Sequence, residues 1–214
     1  MKGLLTKEKY IMWHNCKWFL LIPLFYLAAM ILSLFTGHGN LHYFPLGMVY
    51  LFMGIMPITT SNVEIQSRWH SYCMTMPYSR RQLVSGKYST VLIIVVLTSV
   101  ICAAIFGISV LLGGDADAES LIQLMFMGVG CGLMPAALFF PLHFKFYSTV
   151  NGVRMLFSGI VGGMVGGMNI VFMNIAESAG GALTRRLFIF MIVMMALFAL
   201  SWLISIAVFR RKDV

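Results

Sequence analysis

Six apolar runs, separated by short polar connections, constrain what this chain can fold into more than any other feature. A bilayer's hydrocarbon core is about 30 Å thick, so a helix needs ~20 apolar residues to cross it. No water is available there, and each backbone group must find its partner within the segment. The runs are read as spans at 18–36, 43–61, 88–112, 121–142, 155–174 and 187–209. Composition agrees: 60% of the 214 residues are hydrophobic, 10% are charged and mean hydropathy is +0.89, whereas soluble domains carry roughly 25% charge. The expectation is an all-α membrane protein of six transmembrane helices in one transmembrane domain over 1–214. Pro45, Pro57, Pro135 and Pro141 are expected to interrupt spans two and four or to mark their ends.

Lys and Arg are retained on the cytoplasmic side during insertion, so their distribution gives the orientation. With both termini cytoplasmic, thirteen of the fifteen basic residues lie inside: Lys2, Lys7, Lys9, Lys17, Arg68, Arg80, Arg81, Lys87, Lys145, Arg154, Arg210, Arg211 and Lys212. Arg185 and Arg186 fall outside, together with Asp115, Asp117, Glu119 and Glu177. The net charge of +8 therefore gathers at the inner face, where it suits the anionic headgroups of membrane lipids. No basic run interleaved with aromatics reaches a soluble surface, and nucleic acid is not an expected partner. The first span follows a basic stretch without a clear small-residue cleavage site and reads as a retained helix, not a signal peptide.

Residues 1–17 form an expected interfacial amphipathic helix. On a helical wheel Met1, Leu4, Leu5, Ile11 and Met12 share one arc and Lys2, Lys9 and Lys17 lie opposite. Glu8 and Asn15 fall inside the apolar arc, which suits a helix end that touches protein. Span five carries Gly159, Gly162, Gly163, Gly166 and Gly167, three overlapping pairs of glycines four apart. That face is a candidate interhelical or dimer seam, because small residues let backbones approach closely in lipid. Gly54 and Pro57 of span two, with the glycines of span five, are candidates for lining a cavity. The eighteen methionines show no shared face and read as core and lipid-facing filling.

Catalytic chemistry has little to work with. The chain has no GxxxxGK[ST] phosphate-cradling loop and no HExxH. His14, His38, His42, His70 and His143 are scattered, and His38 with His42 and Asn40 lacks a third strong ligand, so no metal site is expected. Cys16, Cys73, Cys102 and Cys131 form no CxxC pair and read as free thiols. No ionisable residue lies in the middle of a span, where burying charge would signal a relay or an enzyme. Glu64, at the inner end of span two, comes nearest and reads as snorkelling or salt-bridged. The chain is expected not to be an enzyme and to hold no cofactor of its own.

The cytoplasmic loop at 62–87 is the richest polar segment. Arg68, Trp69, Tyr72, Met74, Met76 and Tyr78 mix bulky and polar side chains, as a short helix lying on the membrane surface would. Pro77 ends that helix, and Ser79 is placed to cap the next one, with Arg80, Arg81 and Lys87 on it as it climbs into the bilayer. In Trp69, Tyr72, Pro77, Ser79, Arg80, Lys87 and Tyr88 the chain resembles membrane (permease) subunits of type 2 ABC exporters, specifically a small bacterial six-span group. The opening MKGLLTKE is similar to that group's start.

The resemblance implies a permease subunit in the bacterial cell membrane, multi-pass. It would pair with an identical or sister permease subunit and with two copies of a separate cytosolic ABC ATPase, on which ATP and Mg would bind. The loop would be the coupling helix, with Glu64, Arg68, Trp69, Tyr72, Met76, Pro77, Ser79, Arg80, Arg81, Lys87 and Tyr88 as its residues. Trp69, Tyr72 and Met76 would be packing anchors and Arg68, Arg80 and Arg81 charged contacts. The cargo would be an amphipathic peptide or a hydrophobic compound. The alternative is a non-transporting membrane scaffold, immunity factor or sensor whose loop binds a cytosolic partner.

Overall fold

A backbone without water must close its hydrogen bonds locally, and the five elements described are all α-helices. In this computed structural model the described residues are 2–15, 21, 24, 25, 28, 32, 43–67, 79–111, 118–145, 159, 163 and 181–210. The helices are α1 (Lys2–Asn15), α2 (Tyr43–Gln66), α3 (Arg80–Leu111), α4 (Ala118–Lys145) and α5 (Gly181–Arg210). Stretches of three are long and apolar enough to cross a membrane: Arg80–Gly107, Leu121–Lys145 and Leu183–Arg210. Within α2 the apolar part Met48–Ser61 is shorter. The spans expected at 18–36 and 155–174 lie outside the described residues, except for Leu21, Leu24, Phe25, Ala28, Leu32, Gly159 and Gly163, which are helical and exposed.

One expectation needs correction. The prolines do not interrupt α2 or α4: Pro57, Pro135 and Pro141 all lie inside continuous helices. After Pro57 the chain supplies its own local polar contacts, with Thr60 and Ser61 donating to the Pro57 carbonyl at 2.8 and 3.3 Å and Thr59 to that of Met56 at 2.7 Å. Packed neighbouring helices make proline tolerable within a membrane helix. The helix after the loop starts at Arg80, directly after Ser79, as the expected cap at Ser79 implies. At 32 residues α3 extends about 48 Å, so its first turns project beyond a hydrocarbon core.

The centre of the bundle is α4, packed most extensively on α5, then on α2 and α3. Small residues permit this. A Cβ on Gly54 would collide with the backbone carbonyl of Gly132, one on Gly128 with the Tyr50 ring, and one on Gly130 with Phe190. Gly54 therefore closes against α4 and does not face a cavity. Around this contact Tyr50, Ile55, Phe106, Leu124, Met127, Phe139 and Phe140 are buried. Near one end of the bundle, Gln123 Nε2 donates to Thr184 at 2.9 Å, and Thr184 donates to Glu119 at 2.8 Å, tying α4 to α5.

Candidate functional site at the junction of α1, α2 and α3

The last turn of α2 and the first turns of α3 flank the loop, and between them the sequence places one carboxylate and one ammonium. Glu64 and Lys87 are both buried. Lys87 Nζ lies 2.6 Å from Glu64 Oε2 and 3.0 Å from Glu8 Oε1, as an ion pair whose angles are not those of a directed hydrogen bond. Lys7 donates to Glu64 and lies 3.4 Å from Glu8. Thr60 donates to Glu8 Oε2 at 2.9 Å. Two ammonium groups and two carboxylates thus form a neutral cluster joining three helices.

Placing four charges at an apolar junction is costly unless each is compensated. Here each ammonium is close to both carboxylates. Burial alone would raise the pKa of Glu64, but the charges of Lys87 and Lys7 outweigh it and hold the carboxyl below its ordinary range. The sequence pattern explains Glu8: it sits one turn from Leu4 on the same face of α1, and both are buried, whereas Lys9, Tyr10, Trp13 and His14 are exposed. The apolar arc read from the sequence therefore meets protein at Leu4 and Glu8.

On the other side of α3 the loop's end is fastened to α5. The Ser79 hydroxyl accepts from the Gln82 N–H at 3.2 Å, and the Gln82 side chain accepts from the Ser79 N–H at 3.0 Å. This reciprocal capping box starts α3 as the sequence leads one to expect. Arg80 donates to the carbonyls of Phe209 and Arg210 at 3.4 and 3.3 Å, a cation on the last turn of α5 where the helix dipole favours it. The Arg81 guanidinium stands 5.9 Å from the Trp202 ring. Deeper in, the Tyr88 hydroxyl pairs with Ser201 at 2.7 Å and Ser205 at 2.8 Å, and its ring packs against Phe140 and Phe198.

Of the expected loop residues, Glu64 and Lys87 meet in this cluster, whereas Ser79, Arg80, Arg81 and Tyr88 stand at the start of α3 on the side that faces α5. Arg68, Trp69, Tyr72, Met76 and Pro77 lie outside the described residues, as do Gly162, Gly166 and Gly167. Gly159 and Gly163 are exposed, with nothing among the described residues within 4 Å of where a Cβ would stand. Sequence reasoning did not anticipate Lys7, Thr60, Ser201 and Ser205, although two serines four apart in an apolar run were a usable signal. The same holds for Gly128 and Gly132. Among the described residues, no group of His, Cys, Asp and Glu is suited to hold a metal ion. Cys102 and Cys131 are free and buried.

Residues 3–210 match the family model described as "ABC-2 family transporter protein". No curated protein and no solved structure matches the chain.

Proposed function

Because the chain belongs to the ABC-2 transporter family and is a permease component of that type, we propose that it couples a separate cytosolic ATPase to export through the loop between α2 and α3. One observation carries this reading: both ends of the loop are bound to each other and to α1 through Glu64, Lys87, Glu8 and Lys7. A force applied to the loop reaches α2, α3 and α1 as one body. The same force reaches α5 through Arg80 and Tyr88.

In the proposed cycle, ATP and Mg bind on the partner ATPase, and the closing of two ATPase copies displaces the docked loops. Two permease subunits, identical or sister chains, then change from inward-open to outward-open. Such a change requires the nucleotide to favour one state over the other, so the energy comes from the partner and the bistable element from the helices. Trp69, Tyr72 and Met76 would anchor the loop in the ATPase, with Arg68 as a charged contact. Arg80 has a partner inside the chain and would hold α3 to α5 during the movement. The cargo would be an amphipathic peptide or a hydrophobic compound, and the membrane that of a bacterial cell.

A photo-crosslinking amino acid in place of Tyr72, activated in intact cells, tests the contact. The expected product joins this chain to a cytosolic protein carrying a phosphate-cradling loop. Crosslinks only to lipid or to proteins without a nucleotide site would support a scaffold or sensor instead.

A further inference from the structure

Between α3 and α5 runs a groove of about 320 Å³, of whose lining the coupling reading uses only Tyr88. Ser85, Tyr88, Ser89 and Leu92 line it from α3, and Phe198, Ala199 and Trp202 from α5. Leu92 and Ala199 are exposed, so no described residue closes its outer side. At the groove's polar end stands Arg81, exposed and with no carboxylate partner among the described residues.

We infer that this groove binds one anionic glycerophospholipid, with the phosphate at Arg81 and an acyl chain lying along Leu92, Phe198 and Ala199. The spacing fits such a molecule. Ser85 is one turn below Arg81, about 6 Å, and Leu92 about 16 Å below it, close to the depth of one leaflet of a ~30 Å core. At the intermediate level Trp202 Nε1 donates to the Ser85 hydroxyl at 3.2 Å. Among the described residues that hydroxyl donates to no other group, so its proton can reach a lipid ester carbonyl. The Arg81 guanidinium over the indole keeps its N–H groups in position for a phosphate, which a planar fork of donors binds well. A neutral lipid would fill the apolar part equally, so the arginine is what selects charge.

Trp202 lines the groove and reports its occupant. The full chain, without any ATPase, is reconstituted in phosphatidylcholine bilayers containing a small, equal fraction of phosphatidylglycerol or phosphatidylcholine brominated on its acyl chains. The Trp202 contribution is taken as the difference from a Trp202→Phe variant. Brominated phosphatidylglycerol should quench Trp202 about fivefold more effectively than brominated phosphatidylcholine, the preference one basic contact supplies. Arg81→Gln should remove the excess and Arg81→Lys should keep most of it. Equal quenching by the two lipids, or an excess that survives Arg81→Gln, overturns the assignment. Absence of quenching by either lipid also overturns it, because protein then covers the groove. With no ATPase in the sample, the result does not depend on the coupling reading.

Discussion

The side chains with most at stake are Glu8, Glu64, Lys7 and Lys87, because each depends on the others for compensation. Removing one member of a buried ion pair costs about 3–5 kcal/mol, since the partner stays buried without its countercharge. Glu64→Gln should therefore lower the thermal unfolding midpoint in detergent markedly, while Glu64→Gln combined with Lys87→Met should recover part of the loss. Additive damage in the double variant would show that the two charges do not compensate one another. The cluster also predicts a pH dependence. Because folding lowers the pKa of Glu64, its stabilisation is complete above the unfolded carboxylate value of about 4.3 and is lost as pH falls through the lower folded value. Stability should decline on acidification below pH ~4, and Glu64→Gln should flatten that decline. Much of this was legible in the sequence: a carboxylate at a span's inner end, a serine three before a glutamine, and a glutamate misplaced on an apolar arc. The pairing itself was not, because Glu8 and Glu64 meet only when three separate helices converge.

At the scale of helices, packing is decided by where backbones approach. Gly54 of α2 lies against Gly132 of α4 so closely that an added methyl has no room. Gly54→Ala should cost about 1–3 kcal/mol by forcing the helices apart. Among the described residues nothing stands within 4 Å of where a Cβ on Gly107 would be, so Gly107→Ala should gain about 0.5–1 kcal/mol from reduced chain entropy. Thermal unfolding of the two variants side by side checks the contrast, and equal responses would contradict the packing described. The sequence shows several pairs of glycines four apart, in span four as in span five. Spacing alone cannot say which of them faces a neighbouring helix, and for that reason the denser run at 159–167 drew the reading. Hydropathy alone placed α4 within three residues at each end, whereas the polar first turns of α3 were legible only from Ser79 as a cap, and α5 starts six residues before its apolar run. Prolines looked like interruptions because their cost in a lone helix is plain, whereas the surrounding helices that make them tolerable are not visible in a string.

For the whole molecule, the account rests on a division of labour: this chain supplies helices that move together, and a separate ATPase supplies the energy. Family membership establishes the permease class, and the ion cluster and the α5 contacts of Arg80 and Tyr88 support the proposed route for a loop movement. What the sequence could not provide was that convergence, since residues 7, 64, 87 and 209 lie far apart along the chain. The most direct measurement is ATP hydrolysis in complexes purified from native membranes through a tag on this chain, with Trp69→Ala alongside at matched protein amounts. The account predicts hydrolysis that accompanies the native chain and is lost, with its ATPase, from the variant. Hydrolysis that is absent from both samples, or identical in both, would contradict a permease driven through this loop.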